Sequence, residues 1–323
     1  MNIDTATLRQ LDLFLWTTIA AAAMVVLAAP LFSDFRLNWM TFGLPLGTWA
    51  GLIAGVLFYE LKRPDARLAS AFSGTGQIIA FSAFGAPLSY LAASAGRPLQ
   101  DSVFDAADRM IALDWRALLE WMNQAAFIHP VFSFAYQSFT IQASVVVLWL
   151  SLSGRLARLR TFILAFMIAA VASIAISALV PAQGVWGYYG LGAADHSAIN
   201  PATRDLHLAI FHGLRDGSFR QLTAWGSQGI ITFPSMHAAV AVILAIALWP
   251  VPVLRWIAVG VNIVMVAATP VDGGHYFIDV VAGIMIAVAS WFASVAFVEA
   301  MLADPRRIPI VPATGKSRFA PGE

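Results

Sequence analysis

Residues 233–279 read FPSMHAAVAVILAIALWPVPVLRWIAVGVNIVMVAATPVDGGHYFID, and Arg255 is the only charged residue between His237 and Asp272. The segment holds two apolar runs joined at Pro250-Val251-Pro252, each about as long as the helix that crosses the hydrocarbon core of a bilayer. A chain that goes in and comes back returns its ends to one membrane face. The spacing of His237 and His275 matches two crossings of about twenty residues with a tight turn between them. Both histidines therefore belong to the same end of a helical bundle.

The rest of the chain repeats the pattern. Of 323 residues, 59% are hydrophobic and 11% charged, and the mean hydropathy is +0.75, which excludes a water-soluble fold. Hydropathy places spans near 11–33, 40–60, 70–95, 130–152, 161–182, 229–250, 253–271 and 276–301. The expected fold class is an all-α integral membrane protein of about eight transmembrane helices. The first span is too long for a signal-sequence core and reads as a retained helix. Gly43, Gly47, Gly51 and Gly55 make a smooth face on the second span, read here as packing within the chain rather than as a dimer seam.

Basic residues set the orientation. Arg9, Lys62, Arg63, Arg67, Arg155, Arg158, Arg160, Arg255, Arg306, Arg307, Lys316 and Arg318 fall on one side. The smaller set, Arg36, Arg97, Arg109, Arg116, Arg204, Arg215 and Arg220, falls on the other. Both termini are thus expected in the cytoplasm, with the histidines at the outer face. Arginine outweighs lysine strongly, which points to a bacterial inner membrane. A formal charge of +1 with no basic block argues against nucleic acid, and the lack of cysteine excludes disulfides and thiolate catalysis.

The chain reads as one membrane domain, 1–323. Its two long outer segments differ. Across 101–123, Phe104, Ala107, Ile111, Trp115, Leu118 and Met122 recur at helical spacing opposite Asp105, Asp108, Arg116 and Glu120, the pattern of an interfacial amphipathic helix. Segment 183–228 begins with glycine and aromatics around Trp186, then carries His196, Arg204, His207, His212, Arg215 and Arg220. It reads as an outer active-site loop, followed by catalytic helices over 229–301. Residues 303–323 read as a disordered cytoplasmic tail.

Ionisable groups at the mouths of spans are costly and mark function. Pro234 and Ser235 read as a helix start whose amides and dipole suit a phosphate. His275 and Asp279, four apart, place a carboxylate where it can hold an imidazole tautomer. Gly273 and Gly274 let the backbone approach an anion. Trp186 and Tyr136 are expected to wall the pocket.

At these residues the sequence resembles the type 2 phosphatidic acid phosphatase superfamily, whose pattern is Pro-Ser-x-His followed by His-x-x-x-Asp. The wording Phe-Pro-Ser-Met-His and Gly-Gly-His-Tyr-x-x-Asp is closer to the inositol phosphorylceramide synthase branch, which implies a core six-helix bundle with extra N-terminal helices. The resemblance further implies that His275 attacks phosphorus to give a phosphohistidine, Asp279 orients it, and His237 protonates the leaving oxygen. Ser235 and Gly274 would hold phosphate oxygens, and no cofactor or metal is called for.

Three departures stand out. The family's Ser-Arg pair before the second motif is Ala268-Thr269 here, Pro-Ser-Gly-His has become Pro-Ser-Met-His, and no lysine lies between Lys62 and Lys316 to begin the upstream motif. Positive charge is still needed in a phosphoryl-transfer transition state, so Arg215, assisted by Arg204 or Arg220, is expected to supply it. The substrate class is a phospholipid or lipid phosphate, with a lipid hydroxyl as acceptor in a transferase and water in a phosphatase; the oligomeric state is open. Two other classes remain at this stage: a metal enzyme using His237, His275, Asp272 and Asp279, and a non-enzymatic transporter.

Overall fold

In the computed structural model, which describes residues 5–201, 203–224 and 229–303, each expected span is helical over most or part of its length. The elements are α1 (Thr5–Phe32), α2 (Trp39–Leu57, continued by a π turn over Phe58–Lys62), α3 (Ala66–Ala93), α4 (Asp101–Met110), α5 (Trp115–Gln124), α6 (His129–Gln137) and α7 (Phe139–Leu152). They continue with α8 (Leu156–Leu179), α9 (Val185–Tyr189), α10 (Arg204–Asp216), α11 (Met236–Leu248), α12 (Pro252–Asp272) and α13 (Phe277–Ala303). Two short parallel strands, β1 (Arg36–Leu37) and β2 (Gln221–Leu222), pin the end of the outer loop to the turn after α1. The expected tail, 303–323, lies almost wholly outside the described residues.

Among the described residues, six helices are long and apolar enough to cross a membrane, and α6 with α7, bent by 46° at Ser138, makes a seventh. The expected span at 229–250 is shorter than its apolar run. Residues 229–235 are not helical, and α11 has 13 residues, about 20 Å of helix against a core of about 30 Å. It starts at the buried Ser235 and ends where arginines of the α7–α8 turn cap it: Arg158 donates to the Ala247 carbonyl at 2.8 Å and Arg155 to Pro250 at 3.2 Å. Guanidinium groups at a helix C-terminus satisfy orphan carbonyls and the dipole together.

The core lies where α3, α11 and α13 surround α8. Leu159, Phe162, Ile163, Ala165, Met167 and Ala169 of α8 are buried there, with Ala239, Ile243 and Leu244 of α11 and Ala287 of α13. Gly283 of α13 is a point of closest approach, since a Cβ there would lie 2.2 Å from the Ser235 carbonyl oxygen. At the opposite end, Arg160 is buried, not a loop charge. It grips both carboxylate oxygens of Asp12, at 3.2 and 2.6 Å, while Gln77 donates to Asp12 at 3.1 Å, tying α1, α3 and α8.

Two expectations change here. The glycine face of α2 does not pack within the chain: a Cβ at Gly43, Gly47 or Gly51 would meet nothing within 4 Å, and only Gly55 abuts a neighbour, the Phe72 ring. The face points outward because Phe42 is the one buried residue of α2. Segment 101–123 is two helices, broken where Ala112 takes φ 59°. The acidic side of α4 does not face water. Asp101, Asp105 and Asp108 are buried, while Val103, Met110, Ile111 and Trp121 are exposed, because Asp101 and Asp108 accept from backbone amides of the site and Asp105 from the Tyr189 hydroxyl.

Candidate active site

His275 lies in the turn between α12 and α13. Gly274, at φ +67°, makes that turn, and a Cβ there would strike the Trp186 ring at 2.6 Å. The last carbonyls of α12 are taken by side chains of the outer segments: Trp115 Nε1 donates to Pro270 at 2.9 Å, Trp186 Nε1 to Val271 at 3.1 Å and Thr203 Oγ1 to Asp272 at 2.7 Å. The His275 amide donates to the Pro270 carbonyl at 3.2 Å. The approach of the turn to the imidazole is therefore fixed on every side.

His275 and Asp279 meet, though not as neighbours on one helical face. His275 precedes α13, and Asp279 sits in the first turn with its carboxylate folded back: Oδ2 accepts from the Tyr276 amide at 3.0 Å and faces His275 Nδ1 at 3.3 Å. This is the reaching-back half of a capping box. The next two amides of α13, Phe277 and Ile278, donate to Asp108 of α4 at 2.7 and 2.8 Å. Two carboxylates thus consume the helix's orphan donors, and Asp279 is fully buried.

Nδ1 of His275 faces the carboxylate, which favours the tautomer that carries its proton there. Burial pushes the His275 imidazole down to about 4, against the opposing pull of the Thr232 carbonyl. It is neutral at pH 7, the state a nucleophile needs.

Ser235 caps α11, its hydroxyl accepting from the Ala238 amide at 3.4 Å and its amide donating to the Asp279 carbonyl at 3.0 Å. Both motifs are thereby stitched together at the backbone. His237, in the first turn of α11, stacks on Tyr136 with ring centroids 3.9 Å apart and planes 17° apart. Tyr136 and Trp186 wall the site as the sequence suggests.

A third imidazole joins them. His207 follows Thr203 by one helical turn on α10, and Thr203 is seated on Asp272. Burial, with a smaller contribution from the His275 imidazole, lowers His207 to about 4. Sequence reasoning named His207 only as one of several loop histidines. Its position one turn past the residue that docks on α12 was the missing information.

The arginines divide. Arg215 donates to the Arg97 carbonyl at 2.8 Å and lies over the Phe211 ring at 5.6 Å. Arg220 donates to the carbonyls of Leu214 and Phe219 and lies over Phe35. Arg204 begins α10, three residues before His207; its side chain lies outside the described residues. Asp272 turns to His129, 3.3 Å away, and among the described residues no three His, Cys, Asp or Glu side chains are arranged to hold a metal ion.

Beyond these groups, α4 and the aromatic loop brace the turn. Asp101 accepts from the Tyr276 hydroxyl at 3.0 Å and from the amides of Gly184 and Gln183 at 3.0 and 3.2 Å. Asp105 accepts from the Tyr189 hydroxyl and pairs with Arg109 at 2.9 Å, and Arg116 lies over the Tyr189 ring at 4.4 Å.

Fold and site together define an all-α integral membrane protein with a buried imidazole–carboxylate centre, the equipment of a phosphatase or phosphotransferase. The chain belongs to the PAP2 superfamily, whose model matches residues 104–293, over half its length and both motifs, from Ser235 to Asp279. Membership carries a phosphatase- or phosphotransferase-type function on lipid phosphates in a membrane. Comparison with curated proteins and with solved structures finds no match.

Proposed function

We propose that this protein transfers a phosphate-bearing headgroup from one lipid to the hydroxyl of another through a phosphohistidine on His275, as in the inositol phosphorylceramide synthase branch of the superfamily. His275 Nε2 attacks phosphorus and the bond to the leaving oxygen breaks. His237 gives that oxygen its proton. The acceptor hydroxyl then returns a proton to His237 as its oxygen attacks phosphorus and releases His275. Asp279 keeps the Nδ1 proton of His275 in place and balances the charge that develops on the ring.

Phosphate oxygens are bound by Ser235, the Gly274 turn and His207, with no metal in the reaction. The cationic role stays with Arg215, assisted by Arg204 or Arg220; Arg215 and Arg220 each also donate to a backbone carbonyl.

The observation that carries transfer over hydrolysis is enclosure. His275 is 3% exposed and both Ser235 and Asp279 are 0%, and excluding water protects a phosphohistidine until a hydroxyl arrives. The exposed apolar side chains of α4 and α5 would rest in the lipid interface of the outer leaflet, with both termini in the cytoplasm.

The test follows radiolabelled lipid phosphates, with and without ceramide or diacylglycerol, using purified protein and His275→Ala in the presence of EDTA. Label in a new lipid is the expected result. Inorganic phosphate alone would make the protein a lipid phosphate phosphatase. Turnover untouched by His275→Ala would overturn the mechanism.

A further inference from the structure

Behind the reacting groups lies a second imidazole–carboxylate pair that the reaction above does not use. Asp272, the last residue of α12, is fully buried, and its Oδ1 lies 3.3 Å from Nε2 of His129 at the start of α6, itself 8% exposed. A carboxylate this deep is expensive to bury unless it is well placed and serves a purpose. Its purpose can be read from what α6 carries next. Tyr136 follows His129 by two helical turns, so the two share a side of α6, and the Tyr136 ring is stacked on His237. The Tyr136 hydroxyl reaches the turn that bears His275, 2.8 Å from where a Cβ of Gly273 would stand. The helix has nine residues, packs on α12 through Ala135 against Met265, and is broken from α7 at Ser138.

We propose that His129 and Asp272 are positioning residues for His237: their contact fixes α6 to the end of α12 and so holds the Tyr136 ring against the imidazole that protonates the leaving group. The carboxylate belongs to the residue two before the Gly274 turn, so one contact sets both halves of the site. The proposal rests on the function proposed above.

A misplaced proton donor has a signature that general loosening lacks. It slows departure of an alkoxide, which needs the proton, far more than departure of a p-nitrophenolate, which does not. Turnover of dioctanoylglycerol phosphate and of p-nitrophenyl phosphate, each with ceramide or diacylglycerol as acceptor, would be compared in one detergent for the wild type, His129→Gln and Asp272→Asn. The expected result is a ratio of alkyl to aryl rates at least about tenfold below wild type in both variants. Equal loss on both substrates, or loss on neither, would overturn the proposal and leave the phosphohistidine reading standing. A wild type inactive on both substrates, or unaffected by His275→Ala, would remove that reading and this proposal with it. Should either variant elute as aggregate, Tyr136→Leu, which breaks the same chain of contacts at its other end, decides by the same ratio.

Discussion

The Asp101 carboxylate accepts a hydrogen bond from the Tyr276 hydroxyl at 3.0 Å, across 175 residues of sequence. Tyr276 is the neighbour of His275, and its amide is already held by Asp279. Asp101 also takes two amides of the loop that covers the site, so one buried carboxylate fixes both the covering loop and the catalytic turn. Removing the carboxylate strands three donors. Asp101→Ala should cost about 2 to 3 kcal/mol of stability, and Tyr276→Phe about 1 kcal/mol, because Asp101 then keeps its two amides. Thermal unfolding in detergent checks the order. Activity should fall in the same order, with Asp101→Ala at least tenfold below wild type, on the order of a misplaced nucleophile.

The depressed imidazoles give a pH prediction with a definite sign. His275 and His207 lie near 4 in the folded chain against an ordinary value of 6.5. The unfolded chain then binds more protons between those values, so stability rises with pH from about 4 to about 6.5 and is level above. His275, the proposed nucleophile, stays neutral through most of the same window. The acid limb of kcat/KM should therefore fall below pH 5.5, and a limb centred on 6.5 would show that His275 titrates as an ordinary surface imidazole.

The parts of this site that were legible in the sequence are those set by short motifs and by the length of a membrane crossing. Ser235, His237, His275 and Asp279 had to converge once the two apolar runs between them were read as an antiparallel pair. The carboxylates of α4 were not legible. An aspartate opposite apolar residues on a short helix reads as facing water, and only pairings such as Asp108 with Phe277 and Ile278 turn that face inward. The true length of α11 was hidden for a related reason: Ile230 and Ile231 are as apolar as the helix, yet they precede the Pro234-Ser235 start that limits it. The outward glycine face of α2 could not be told from a packing face, since small residues permit close approach without naming the partner.

At the far end of the bundle, Arg160 and Asp12 make a bidentate pair supported by Gln77. Arg160→Ala leaves a carboxylate with one amide partner in a largely apolar setting. The cost should be about 3 kcal/mol, the lower end for a broken buried pair, since the Asp12 side chain is 22% exposed. Replacing both partners together, Asp12→Leu with Arg160→Met, should recover most of that loss. A double variant no more stable than Arg160→Ala would mean that the pair's geometry, and not the stranded charge, holds α1 in place. Catalytic rates in the double variant should stay near wild type, because the pair sits where α1 and α8 begin, away from the site.

Gly283 supplies the most direct test of how the two halves of the site are held together. It lies one turn beyond Asp279 on α13, and a Cβ would press to 2.2 Å from the Ser235 carbonyl oxygen and 3.2 Å from Ala238 Cβ. Neither neighbour can yield as a flexible side chain would: one is backbone at the start of α11, the other a methyl in its first turns. Gly283→Ala must therefore part α11 from α13, at about 1 to 3 kcal/mol for overpacking. The separation acts on the Ser235 amide, which donates to the Asp279 carbonyl, and moves His237 away from His275. Activity should drop about a hundredfold, as expected for reacting groups displaced by an ångström, while the protein still elutes as folded. A variant that keeps full activity despite lower thermal stability would show that α11 and α13 can shift without separating the two imidazoles.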